Sequence, residues 1–339
     1  MYKETAKEVL DFIQKSPSCF HAIQEIGRQL RENGFEELRE TDRWSIKKGG
    51  SYFTTRNGSS LIAFRVGKTL DDYHFQVTSS HCDSPTFKVK EKAELKGKGG
   101  YLQLNTEGYG GMICSSWMDR PLSLAGRVLV REGNTVTSRL VAFDRDLLII
   151  PNVAIHMNRS INDGFAFNKQ VDMLPLFSAG ECGEDSYREL IAQELGVDPQ
   201  SILGMDMYLY NRTAPSIWGA KEEFISSPKL DDLQCACTSL KAMIQAENDR
   251  CVTVYACFDN EEVGSGTKQG ACSTFLRDVL QRINDGLGFD GEDYRRAVAG
   301  SFMVSCDNAH AVHPNHPEKT DAENCTWMNK GIVIQFSAN

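Results

Sequence analysis

Phe258-Asp259-Asn260-Glu261-Glu262-Val263-Gly264 is the stretch on which the reading of this chain turns. It follows an apolar, β-rich run, Val252–Phe258, and leads into Gly/Ser-rich text and then a helical pattern. The adjacent carboxylates Glu261 and Glu262 therefore fall at the C-terminal end of a predicted central strand. In open α/β sheets the ligand crevice lies at that end. Neighbouring acids repel, so holding the pair in a crevice calls for a cation or a shared proton. A metal suits it: one Glu ligates while the other takes a proton from water. An isolated Glu-Glu is equally the mark of a solvated turn, because charged residues are mostly exposed. The rest of the chain decides between the two.

Working outward, the α/β pattern surrounds that strand on both sides. Ala6, Val9, Leu10 and Ile13 recur at helical spacing. Ser16-Pro17-Ser18 breaks that helix and starts another, whose apolar face holds Ile23, Ile26 and Leu30. Residues 51–67 read as a hairpin around Asn57-Gly58. Tyr73–Ser79 is a further strand running into His81-Cys82-Asp83-Ser84-Pro85. Composition shifts near Lys88, and up to about Ser216 β-like runs (122–131, 138–142, 147–150) alternate with glycine-rich turns, with one helical patch at Tyr187–Leu195. Helical text returns at Leu230–Ala246 and at Ala271–Leu287, and Ala297–Cys306 reads as a strand. The expectation is an α/β domain with a central mixed sheet flanked by helices, formed by residues 1–90 and 223–339, with a mainly β domain inserted at 91–222.

At 339 residues with 41% apolar and 24% charged residues, this is the composition of a globular protein with a sizeable core. The formal charge of −9 argues against nucleic acid or an anionic membrane surface as a partner. No run of about 18 apolar residues exists to span a bilayer. The N-terminus opens directly into an amphipathic pattern, and the eleven cysteines form no paired framework, so reduced thiols in the cytoplasm are expected. Cys235-Ala-Cys237 has too short a spacing for zinc and reads as core.

Four other places carry candidate chemistry. His81 follows a strand as a metal ligand would, with Asp83 two residues on to fix its tautomer; a turn-forming Asp-Ser-Pro explains the same text. Asp231 and Asp232 stand at a helix start, where a carboxylate can bridge metals or simply cap the helix. Asp307 again follows a strand-like run. His310, His313 and His316 crowd into seven residues, though not at the spacing of a helical metal pair. Taken together, His81, Asp231, Glu261, Glu262 and Asp307 all fall near element ends that one rim of a sheet can collect. Mixed His and carboxylate donors suit zinc, manganese or cobalt.

Four ordered motifs carry a resemblance: His81-Cys-Asp-Ser-Pro, Lys229-Leu-Asp-Asp-Leu, Asp259-Asn-Glu-Glu-Val-Gly-Ser, and Ser305-Cys-Asp-Asn-Ala-His-Ala-Val-His-Pro-Asn. Together with Gly110-Gly111, Trp117-Met-Asp-Arg and Ile150-Pro-Asn-Val-Ala-Ile-His156 they resemble the signatures of the aspartyl aminopeptidase family, along essentially the whole chain. The resemblance implies a zinc aminopeptidase with two divalent ions, acting on peptides with a free N-terminus. It implies His81 and Asp307 as ligands of one ion, Asp231 as the bridge, Glu262 as ligand of the other ion, Glu261 as general base and Asp83 as support. It implies that His156 reaches a neighbouring subunit's active site, that the β-rich insert mediates dimerisation, and that the chains assemble as a dodecamer.

The chain departs from the family pattern at its end. The resemblance implies a further C-terminal segment with a last histidine ligand, beginning where this chain runs Ile332–Asn339, a stretch read as strand-like. His313 and His316 are the substitutes to test for that histidine. Gln335 stands where members that prefer acidic residues carry a basic one, which weakens the expectation of Asp or Glu preference. Two further readings therefore stay open: a catalytically silent subunit of the same fold, and a two-metal deacylase.

Overall fold

The computed structural model describes residues 2–336. Two amphipathic helices open the chain, α1 (Tyr2–Gln14) and α2 (Cys19–Glu32), with Ser18 capping the second. Strands β1 (Glu36–Leu38), β2 (Ser51–Arg56), β3 (Ser60–Val66) and β4 (Phe75–His81) follow. At the β2–β3 turn Asn57 and Gly58 both take positive φ, the backbone that Asn-Gly supplies with little strain. Next come β5 (Thr86–Lys96), β6 (Leu102–Tyr109), β7 (Leu122–Glu132), β8 (Thr135–Ala142), β9 (Leu176–Ser178), α3 (Ser186–Leu195) and β10 (Ile202–Asn211). A small ribbon, β11 (Ser216–Trp218) and β12 (Phe224–Ser226), leads to α4 (Leu230–Gln245), β13 (Val252–Phe258), α5 (Phe275–Gly286), α6 (Gly291–Ala299) and β14 (Phe302–Ser305).

These strands form two six-stranded sheets. The first has the order β1-β2-β3-β13-β4-β14 and is mixed: β13 runs antiparallel to β3 and parallel to β4, and β14 runs parallel to β4. β13 is covered on both faces, which explains why it is apolar at every position but Thr253 rather than alternating. Val252, Val254, Ala256 and Phe258 face a core shared with Phe275, Val279 and Ile283 of α5. Tyr255 and Cys257 face the opposite core, shared with α1, α2 and α4. The second sheet, β8-β7-β10-β5-β6-β9, is antiparallel and packs its apolar face with Tyr187, Ile191 and Ala192 of α3.

The sheets are joined by the short link 82–85 and held by Arg127 on β7. Its guanidinium donates to Asn57 O at 2.7 Å and to Asp206 Oδ2 at 2.7 Å, and lies 4.4 Å from the Phe20 ring. Lys88 takes the other Asp206 oxygen at 2.9 Å. This charged joint ties β7 and β10 to the β2–β3 turn and to α2. Among the described residues, no helix is long and apolar enough to cross a membrane.

Some expected elements differ. Residues 147–150 make only isolated bridges, to Leu122 and Leu176. The 271–287 helix starts at Phe275, and the first residues of the 297–306 run finish α6 before β14 begins. Residues 332–336 are not a strand: Ile332 and Phe336 are 92% and 94% exposed, and no described strand lies alongside to take their backbone bonds. Residues 337–339 of that run lie outside the described residues. Cys237 packs against the core, but Cys235 points to Asn308 Oδ1 at 3.6 Å.

Tyr255 locks α4 to the strands that carry the site. Its buried hydroxyl donates to Ala236 O at 3.0 Å and accepts from Ser80 Oγ at 3.1 Å. Tyr255→Phe leaves both partners short of a bond and is expected to lower the unfolding free energy by about 1–3 kcal/mol in a denaturant titration. An unchanged midpoint would show that the bond contributes nothing.

Candidate metal centre

Three parallel strands end side by side. In register Phe258 pairs with His81, and Ser305 pairs with Ser79. Their C-terminal ends therefore deliver His81, the Asp259–Glu262 segment and Asp307 to one rim, and the first residues of α4 bring Asp231 and Asp232 to the same place. Turning the chain back at this rim needs unusual backbone: Lys229, Asn260 and Ser265 all have positive φ, as does Gly264, and the Asp231–Asp232 peptide is cis. Sequence spacing alone shows none of this.

His81 is the buried centre of the cluster. Its Nε2 lies 3.3 Å from Asp231 Oδ1, 3.8 Å from Glu261 Oε2 and 3.9 Å from Asp307 Oδ1. Donor atoms of His81, Asp231 and Asp307 all fall within 4.8 Å of one another. A tetrahedral zinc ion with bonds near 2.1 Å separates its ligand atoms by about 3.4 Å, so this trio fits one ion with small adjustments. The opposite ring nitrogen, Nδ1, faces only acceptors, Asp83 O at 3.1 Å and Asp83 Oδ1 at 3.3 Å. Nδ1 must therefore carry the proton, which leaves Nε2 to bind a cation. Burial alone would lower the pKa of His81, but its bonds to Asp231 and Asp83 outweigh that and raise it to about 11. Of the two, Asp231 lies on the Nε2 side, where it favours positive charge.

Asp83 is buried and uses both oxygens fully. Oδ1 accepts from His81 Nδ1 and from Glu261 N at 3.2 Å; Oδ2 accepts from Glu262 N at 3.2 Å and from Tyr109 OH at 2.7 Å. Burial opposes its ionisation, yet the His81 and Tyr109 bonds hold its pKa below the usual carboxylate value. Asp232 is fully buried and accepts His81 N–H at 3.0 Å; burial pushes its pKa up to about 7.

The two glutamates split. Glu261 is exposed and points toward His81 Nε2. Glu262 is half-buried outside the trio and packs on Gly110, where a Cβ would come within 2.9 Å of its own Cβ. Burial first, and then the charge of Asp83, raise the pKa of Glu262 to about 7. His156 lies in an exposed turn of the second-sheet segment, and no described hydrogen bond or ion pair links it to the cluster. His313 and His316 are exposed and their rings lie tilted to each other with centroids 5.3 Å apart, His316 being bonded to Glu318. Gln335 is exposed in the irregular 332–336 stretch.

Sequence reasoning missed Tyr109 and Asn260. Asn260 Nδ2 donates to Tyr109 OH at 2.8 Å, while its Oδ1 accepts from Thr267 and Gln269. The only signal was the Asn before Glu-Glu at a turn, where that residue tolerates positive φ. Beside the cluster a cavity of about 610 Å³ opens between the second sheet and the starts of α2 and α4, lined in part by Tyr109, Trp117, Arg120, Tyr208, Lys229 and Asp231.

The family described as aminopeptidase I zinc metalloprotease (M18) matches residues 12–339. A probable M18 family aminopeptidase 2 from Clostridium acetobutylicum is 46% identical over 99% of this chain and 79% of its own length. Aspartyl aminopeptidase 1 of Schizosaccharomyces pombe is 39% identical, over 99% of this chain and 77% of its own. A chain in the cryo-EM structure of the Ape4 and Nbr1 complex superposes with a TM-score of 0.91 at 37% identity, covering 97% of this chain and 68% of that one. The S. cerevisiae mApe1 dodecamer structure gives 0.83 at 26% identity, with coverages of 96% and 76%. The chain thus belongs to the M18 family of zinc metalloproteases, and it is a metal-dependent aminopeptidase that removes N-terminal residues from peptides.

Proposed function

We propose that His81, Asp231 and Asp307 hold one zinc ion, and that Asp231 and Glu262 contribute to a second beside it, with Glu261 as general base and Asp83 as the group that orients His81. The observation that carries this is the single buried imidazole whose Nε2 faces three carboxylates while Nδ1 is spoken for by Asp83. A nearby cation would favour the charged form of Glu262, whose pKa burial and Asp83 push up to about 7. Manganese or cobalt satisfies the same donor set.

When bound, the ions acidify water and polarise the first peptide carbonyl. The protein's own groups do the rest. Glu261, exposed at the rim, takes the proton from the attacking water and returns it to the amine that leaves. The surplus of carboxylates attracts the α-ammonium of the peptide, which restricts cleavage to the first residue. The cavity beside Asp231 has the size of a small-ligand site and gives the peptide room.

Residues 91–222 act, in this proposal, as a dimerisation domain inserted into a catalytic domain of 1–90 and 223–339. Assembly into a dodecamer is supported by the likeness to mApe1. Exposed Val153, Ile155 and Met157 flank His156, apolar surface of the kind that subunit contacts bury. We place His156 in a neighbouring subunit's active site. Eleven free cysteines are in keeping with a reducing compartment, the cytoplasm.

Glu261→Gln is expected to reduce turnover of an aminoacyl substrate by roughly 10²–10⁴-fold with zinc content unchanged; persistent activity would remove Glu261 from the base role. His156→Phe should lower kcat while metal content stays at the wild-type level, and an unaltered rate would exclude a role across subunits. The name of the S. pombe relative and Arg120 in the cavity wall support an acidic preference. In a panel of N-terminal residues Asp and Glu should then be released fastest, whereas equal rates across Leu and Ala would rule that preference out.

A further inference from the structure

We infer that Tyr109, carried by the second sheet, is a positioning residue for the metal centre: its hydroxyl fixes Asp83, and through Asp83 the ring of His81. The inference rests on the reading of His81, Asp231 and Asp307 as ligands.

The direction of each bond follows from the partners. Asn260 must turn its amide oxygen toward Thr267 Oγ1, at 2.7 Å, and Gln269 Nε2, at 2.9 Å, because both donate there. Its Nδ2 then faces Tyr109 and donates to the phenol oxygen at 2.8 Å. The single proton of Tyr109 is left for Asp83 Oδ2, at 2.7 Å, the shortest bond Asp83 receives. Burial, and then the charge of Asp83, push the phenol well above its usual range, so it stays a donor. On the other side Asp83 Oδ1 takes His81 Nδ1 and Glu261 N–H. One hydroxyl from the inserted sheet thus sits between the strand-end loop carrying Glu261 and Glu262 and the side chain that orients His81.

Tyr109 reaches this point because of how the second sheet is seated. It is the last residue of β6, paired with Thr86 at the start of β5, only a few residues after His81. Its ring lies edge-on to Tyr208 of β10, with centroids 5.7 Å apart. β10 is itself held to the first sheet through Asp206 and Arg127. Groups that orient a metal-bound histidine set its basicity as well as its angle. The seating of the inserted sheet therefore sets how tightly the catalytic sheet binds its metal.

The test uses the full chain, stripped of metal, with zinc affinity read by competition with a chromogenic chelator and with the absorption spectrum of the cobalt form. Tyr109→Phe keeps the ring and its contact with Tyr208 and removes only the hydroxyl. It should weaken zinc binding by roughly 10–100-fold and shift the cobalt bands. A purely packing role for Tyr109 would move neither. If Tyr109→Phe matches wild type in both while His81→Ala loses zinc, the inference fails and the ligand assignment stands. If His81→Ala binds zinc as wild type does, the ligand assignment fails and the inference with it.

Discussion

A buried carboxylate with every acceptor position filled holds this site together. Asp83 takes bonds from His81, from Tyr109 and from the backbone of Glu261 and Glu262, so one side chain ties the end of β4, the inserted sheet and the loop after β13. Each donor lowers the cost of keeping a charge out of water, and removing one would leave that charge short of compensation. The orientation of His81 is a consequence: with Nδ1 committed to Asp83, only Nε2 is free to face the remaining acids.

Those acids set the second constraint. Asp231, Glu261 and Asp307 converge on one nitrogen, with Asp232 and Glu262 behind them. Burial first, and neighbouring carboxylates after it, push the pKa of Asp232 and Glu262 up. A divalent cation relieves the whole group at once. Such an arrangement costs folding stability and is explicable at a functional site, where local strain and charge crowding are tolerated for the chemistry they permit.

The parallel arrangement of β13, β4 and β14 turns distant residues into neighbours. Parallel strands place their C-terminal ends on the same rim, and β13, buried on both faces, is anchored by two separate cores. The inserted sheet then closes the rim from the side. Its seat is electrostatic, through Arg127 and Asp206, and it carries Tyr109 and Gly110 up to Asp83 and Glu262.

Much of this was legible in the residues. The apolar run before Glu261-Glu262 marked a central strand, and the structure shows it covered on both faces, as a strand without alternation should be. His81, Asp231 and Asp307 stood out by their positions after or before elements, and their chemistry pointed to a cation. The chain text was also enough to separate α/β from β-rich regions, since helical and strand periodicities differ. What sequence did not contain was distance. That Glu261 faces His81 while Glu262 packs on Gly110 depends on the turn at Asn260, a tertiary product of bonds to Tyr109, Thr267 and Gln269. Residues 332–336 show the same limit from the other side: their β propensity is real, but a strand exists only where another strand lies alongside to take its backbone bonds.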